Sequence, residues 1–178
     1  MKITIEEIPT PWKDQYDYVW GFSEGVACVK KDGKYGFVDK TGTLVIPCAY
    51  DYAYSFSEGV ALVKKDGKYG FVDKTETLVV PCAYDDVWGF SEGVGIVKKD
   101  GKYGFVDKTG TLVVPCAYDY ADAFSNGVAW VKKDGKYGYV DKTGTLVVPC
   151  EYDYPGDFSD GVAIVKKDGK QFKLTIQK

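Results

Sequence analysis

Residues 56–89 read F-S-E-G-V-A-L-V-K-K-D-G-K-Y-G-F-V-D-K-T-E-T-L-V-V-P-C-A-Y-D-D-V-W-G, and this stretch decides the fold because it recurs. Its opening phrase, F-S-x-G-V, begins at Phe22, Phe56, Phe90, Phe124 and Phe158, at intervals of 34 residues. A fixed period of this size marks one supersecondary unit that buries its apolar surface against its neighbours. Residues 1–178 therefore read as a single repeat domain of five units.

Three runs of the unit have strand character and none has a helical period. Val60-Ala61-Leu62-Val63 leads through Lys64-Lys65 into Asp66-Gly67, a dipeptide suited to a two-residue type I′ hairpin because both central positions need positive φ. The run 69–73 then pairs back antiparallel. A D-K-T-G turn (39–42, 107–110, 141–144; D-K-T-E at 73–76) leads to a third run, Thr77-Leu78-Val79-Val80, closed by Pro81. Each unit is thus expected to be a three-stranded antiparallel meander, with about ten residues connecting it to the next. Consecutive apolar residues in the first and third runs predict small sheets covered on both faces, stacked as layers. The glycine of K-Y-G-F (Gly36, Gly70, Gly104, Gly138) lies inside a strand, which predicts a close approach by a neighbouring backbone or ring.

Two architectures satisfy this pattern, a closed five-bladed β-propeller and an open β-solenoid. Residues 1–6 and 172–177 both alternate apolar with polar, and the last copy has two of its three strands. A third strand supplied by residues 1–9 would complete five blades and leave no unpaired ends of the array, so the sequence favours the ring. The alternative is that the polar faces of these strands cap an open array.

A chain of 178 residues with 45% hydrophobic and 16% aromatic content can bury a sizeable core. Residues 1–8 are too polar for the apolar region of a secretory signal, and no apolar run approaches a membrane span of about 20 residues. A net charge of −3 with alternating Lys and Asp argues against nucleic acid as a partner. The expectation is a soluble monomer with neither membrane nor nucleic-acid partners. The repeated K-K-D-G-K reads as a solvated hairpin.

Four of five cysteines, Cys48, Cys82, Cys116 and Cys150, share one repeat position, and Cys28 lies in a first strand. Equivalent positions of adjacent units stand too far apart for disulfides, so buried free thiols and a reducing, cytoplasmic compartment are expected. The chain has no histidine, which excludes Ser-His-Asp and Cys-His catalysis, and no C-x-x-C pair, which argues against zinc. The aspartate of Y-D (Asp17, Asp51, Asp85, Asp119, Asp153) and the serine of F-S (Ser23, Ser57, Ser91, Ser125, Ser159) recur in every copy, and a residue needed five times reads as one holding a turn. No enzymatic activity and no cofactor are expected.

The ordered set F-S-E-G-V-A, G-K-Y-G-F-V-D-K-T-G-T-L-V-V-P and Y-D, spanning 16–170, resembles the bacterial WG-repeat (KWG-repeat) family. Tyrosine (Tyr35, Tyr69, Tyr103, Tyr137) stands where that family carries its eponymous tryptophan before glycine, so the slot stays aromatic. The resemblance implies an interaction module without a general activity. The near identity of the copies is what either recent duplication or consensus construction produces.

The copies differ mainly in the segment after Y-D: Tyr18-Val19-Trp20-Gly21, Tyr52-Ala53-Tyr54-Ser55, Asp86-Val87-Trp88-Gly89, Tyr120-Ala121-Asp122-Ala123 and Tyr154-Pro155-Gly156-Asp157. The candidate ligand-binding residues are Trp20, Tyr54 and Trp88, a row of aromatic platforms, with Asp122 and Asp157 as acidic neighbours. Such a surface suits a carbohydrate or an extended peptide. The competing readings are that these rings cover the joints between units, and that the chain is a repeat scaffold with no ligand of its own.

Overall fold

The computed structural model describes residues 3–6 and 11–177. After a short 3-10 helix, Pro11–Gln15, the chain is all β. The first sheet comprises β1 (Tyr18–Ser23), β2 (Val26–Lys31), β3 (Lys34–Asp39) and β4 (Leu44–Tyr50). The second comprises β5 (Tyr52–Ala53), β6 (Val60–Lys65), β7 (Lys68–Asp73) and β8 (Val80–Tyr84). The third holds β9 (Asp86–Ser91), β10 (Val94–Lys99), β11 (Lys102–Asp107) and β12 (Leu112–Tyr118), and the fourth β13 (Tyr120–Ala121), β14 (Val128–Lys133), β15 (Lys136–Asp141) and β16 (Leu146–Tyr152). Each of these is a four-stranded meander in sequence order; the fifth sheet pairs β17 (Val162–Lys167) with β18 (Lys170–Thr175).

The unit therefore has four strands and not three. The segment after Y-D is no plain connection: it pairs antiparallel with the strand that follows it, as in Tyr18 with Lys30 and Ser23 with Val26. A second two-residue turn makes this possible, with Glu24 and Gly25 both at positive φ, and Asn126-Gly127 and Asp160-Gly161 repeat it. The Asp66-Gly67 hairpin has the expected positive φ at both residues. In the last copy Pro155 lacks the N–H that a ladder needs, and two isolated bridges, Tyr154 with Lys166 and Ser159 with Val162, survive.

Packing between sheets follows from strands apolar on both faces. Val26 and Cys28 of β2 face the second sheet with Phe37 and Ile46, and there they meet Ala61, Val63 and Val72. The phenylalanine of K-Y-G-F meets the phenylalanine of the next F-S-x-G edge to face, Phe37 with Phe56, Phe71 with Phe90 and Phe105 with Phe124, each pair with centroids 4.9 Å apart. Burying two such rings contributes about 3 to 6 kcal/mol per joint. Gly36 is needed because the third strand crosses it: a Cβ there would lie 2.6 Å from the Ile46 carbonyl oxygen. The expected close approach is thus made by the backbone of the same sheet.

Polar ties run along the array. Ser23 Oγ donates to the Phe56 carbonyl at 2.8 Å and Ser91 Oγ to that of Phe124 at 2.9 Å, so at these two positions the serine fastens one unit to the next. Asp51 accepts from Lys34 of the preceding sheet and from the Asp66 N–H of its own hairpin, and Asp85, Asp119 and Asp153 repeat the arrangement. The K-K-D-G-K hairpin is therefore tied at its last lysine, not simply solvated.

The two end sheets differ from the middle ones. Ala27, Val29 and Val38, equivalents of residues that elsewhere face a preceding sheet, pack under Trp12 and Tyr16. Phe22 likewise meets Trp12 edge to face at 6.4 Å. On the fifth sheet Lys173 pairs with Ile164 where Phe37 pairs with Cys28, and Ile164 is 45% exposed. Of residues 1–9, expected to complete this sheet, 1–2 and 7–9 lie outside the described residues; residues 3–6 form no strand, and Ile3 and Ile5 are 78% and 94% exposed. Ring closure by this segment is thus not seen among the described residues.

Candidate functional site

The variable segments and the K-Y-G tyrosines share one side of the array, and register explains why. Tyr18 lies across from Lys30, and Lys30 across from Tyr35, so the outer strand and the tyrosine flank the same lysine on one sheet face. Lys30 sits over the Tyr35 ring at 5.0 Å, and Lys64, Lys98 and Lys132 repeat this over Tyr69, Tyr103 and Tyr137.

On this side the rings form ladders. Trp20 stacks on Tyr35 with centroids 5.5 Å apart and planes at 25°, Tyr18 lies 5.7 Å from Trp20, and Tyr52 of the second sheet lies 5.5 Å from Tyr35. Farther along, Trp88 stacks on Tyr103 (5.3 Å), Tyr103 meets Tyr120 (5.2 Å), and Trp130 stacks on Tyr120 (5.5 Å) and meets Tyr137 edge to face (5.4 Å). Trp20 and Trp88 thus pack through one ring face yet remain 42% and 38% exposed, so each is at once a joint cover and an open platform.

The five expected residues fall at three joints and not at one site. Trp20 and Tyr54 line a cavity of about 110 Å³ between the first and second sheets. Tyr54 and Trp88 line one of about 500 Å³ between the second and third. Asp122 and Asp157 line one of about 240 Å³ between the fourth and fifth. Tyr35, Tyr52, Tyr69, Tyr103, Tyr120 and Trp130 were not among the expected residues; Tyr35, Tyr69 and Tyr103 belong to the repeat, Tyr52 and Tyr120 lie in the variable segments, and Trp130 lies in a first strand of the unit. Cross-strand alternation around the paired lysines was the available signal.

The polar groups along the array are held by their neighbours or by burial. The side-chain hydrogen bond from Lys34 holds the Asp51 carboxyl below its ordinary range, and Asp85, Asp119 and Asp153 are lowered likewise. Asp39 is lowered by the Thr41 hydroxyl within its own turn. All five cysteines are free; Cys28 is buried, and burial pushes its thiol up to about 12, whereas the other four are half-buried and raised in the same direction. Among the described residues no group of three His, Cys, Asp or Glu side chains could hold a metal ion.

A stack of antiparallel meanders tied by repeated serine and aspartate bonds defines an all-β repeat protein. The chain belongs to the WG containing repeat family, whose model matches residues 15–35, 35–69, 69–103, 103–137 and 137–170. No curated protein matches it in sequence. Among solved structures it is similar to Kluyveromyces lactis Hsv2, with a TM-score of 0.43 and 7% identity over 85% of this chain and 57% of that one. It is also similar to the extracellular domain of the putative one component system BT4673 from B. thetaiotaomicron (TM-score 0.38, 11% identity, 90% and 28% of the two chains) and to the hemopexin fold protein CP4 from cow pea (0.30, 13%, 76% and 92%). The chain spans 47% to 57% of the length of the Hsv2 chains it matches.

Proposed function

We propose that the chain is a non-enzymatic binding module that presents the aromatic side of its repeat scaffold to a glycan or a peptide. One observation carries this reading: the positions that the copies leave variable are the ones that place partly exposed tryptophans, Trp20 and Trp88, each on its own run of stacked rings. A scaffold needing only joint covers would bury these rings, since an exposed indole contributes less to stability than a buried one. The missing histidine, the raised thiols and the aspartates committed to inter-sheet bonds support a role without catalysis. Free thiols fit a reducing compartment such as the cytoplasm, and a monomer is part of the same reading.

The finer architecture is read as a propeller-like array that stays open. The ring closed by the N-terminal strand was the arrangement favoured by sequence pattern. Trp12 over the first sheet and Lys173 in the phenylalanine slot of the last both favour end caps, because a closed ring would seat an apolar sheet on each of these faces.

The function is tested by following tryptophan fluorescence while glycan and peptide panels are titrated into the protein. A response abolished by Trp20→Asp or Trp88→Asp supports the binding face. A protein silent to both panels is a scaffold without a ligand of its own.

A further inference from the structure

The ring ladders break at Tyr69. Tyr35, Tyr103 and Tyr137 each stack on or meet a neighbouring ring, but Tyr69 enters no ring pair among the described residues. Two substitutions cause the break. Asp86 stands where Tyr52 and Tyr120 cover the preceding tyrosine in the first and third joints, and Tyr54, in the tryptophan position, turns to solvent at 64% exposed. The gap is the cavity of about 500 Å³, bounded by Tyr54, Tyr69, Trp88, Ser55, Ser57 and Asp86.

We infer that this gap takes one pyranose ring of a neutral carbohydrate, stacked on Tyr69 in place of the missing tyrosine. The inference rests on the reading of the aromatic side as a binding face and names its ligand class. A pyranose has an apolar C–H face that packs on an aromatic ring and a rim of hydroxyls that donate and accept. The gap supplies both kinds of partner. Asp86 takes one hydrogen bond, from the Val87 N–H to Oδ1 at 3.0 Å, which leaves Oδ2 free to accept from a sugar hydroxyl. It enters no ion pair among the described residues. Ser55 and Ser57 add hydroxyls that can act in either direction.

An ionic ligand of either sign meets a like charge at the gap. A cation would meet the Lys64 ammonium, already 4.7 Å from the Tyr69 centroid, and Lys98, across from Asp86 in the ladder. An anion would meet the Asp86 carboxylate within the gap. A neutral polyhydroxylated ring meets neither penalty.

The test uses Asp86→Tyr, which installs the residue that the second and fourth copies carry at the same place, so the sheet is expected to form; circular dichroism checks this. Neutral hexasaccharides of glucose, galactose, mannose, xylose and N-acetylglucosamine are titrated into the wild type and the variant, with hexa-arginine and hexagalacturonate as charged controls. Expected is a saturable change of the Trp88 signal with at least one neutral saccharide, weakened by about tenfold or more in Asp86→Tyr as the new ring fills the stack. Undiminished binding in that variant overturns the assignment to this gap; if Trp20→Asp then abolishes it, the broader binding face stands without the gap. Tighter binding of either charged control overturns the ligand class. No response to any neutral saccharide overturns the inference, and a peptide response dependent on Trp20 in the same experiment would leave the binding face intact.

Discussion

Glu76→Gly should make this protein more stable, although it removes a side chain. Glu76 ends the second D-K-T turn, where the other three complete copies have glycine, and it holds φ at 66°. Gly110 and Gly144, its equivalents, lie directly against the carbonyls of Val79 and Val113 in the preceding sheet, leaving no room for a Cβ. The strand that follows Glu76 is correspondingly shorter: β8 starts at Val80, and the pairing made by Val38 with Leu44, Val106 with Leu112 and Val140 with Leu146 has no counterpart in the second sheet. Relieving a left-handed non-glycine residue gains about 1 to 2 kcal/mol. The looser unfolded chain takes back about 0.4 to 1 kcal/mol. A restored ladder bond adds about 1 kcal/mol. The net gain is about 1 to 2.6 kcal/mol, and at this chain length each kcal/mol raises Tm by about 2 to 4 °C. Urea melts measure the gain as a higher midpoint at an unchanged slope, and amide exchange should show new protection at Leu78 and Val79. Lower stability, or a gain without new protection in that strand, would refute the argument.

Other consequences are equally direct. Trp20→Asp and Trp88→Asp each remove a half-exposed ring stacked on one face and should cost about 1 kcal/mol in denaturant melts; a loss of about 3 to 5 kcal/mol would mean that they are buried joints. Deleting residues 1–6 should leave Tm unchanged, since Ile3 and Ile5 are exposed, and a large fall would restore the closed ring. Tyr139→Phe should cost about 1 to 3 kcal/mol, because the buried Tyr139 hydroxyl donates to the Gly156 carbonyl at 2.5 Å and accepts from its N–H at 2.9 Å, and phenylalanine leaves both backbone groups unmet. The carboxyls of Asp51, Asp85 and Asp119 are lowered in the folded state, so their contribution is complete above the ordinary aspartate range near pH 4 and is lost as pH falls through their folded values. Tm followed from pH 7 to 2 should stay level and then drop below about pH 4; a level profile to pH 2 would contradict the role given to these bonds.

Much of the unit was legible in the sequence because its signals are local. Asp66-Gly67 specifies its hairpin through backbone conformation, and the apolar runs announce sheets covered on both faces. The outer strand was missed for a different reason. Its sequence changes from copy to copy, and variability reads as connection, although Asn126-Gly127 and Asp160-Gly161 signal a second hairpin as plainly as Asp66-Gly67 does the first. The role of Trp12 was invisible because it depends on a surface that forms only when the first sheet folds. The candidate rings could be named from variability alone, but their grouping into three joints, and the gap left by Asp86, depend on which ring lies over which, a relation between sheets 34 residues apart.

The central claim, that the variable aromatic side is where this chain binds, is tested most directly by the indole N–H resonances of its four tryptophans, Trp12, Trp20, Trp88 and Trp130. Glycan and peptide panels are titrated into the labelled protein and the four signals followed separately. A ligand should move Trp88, with or without Trp20 and Trp130 along the ladders, and leave Trp12 over the first sheet in place. Movement confined to Trp12, or four signals unmoved by either panel, would contradict it.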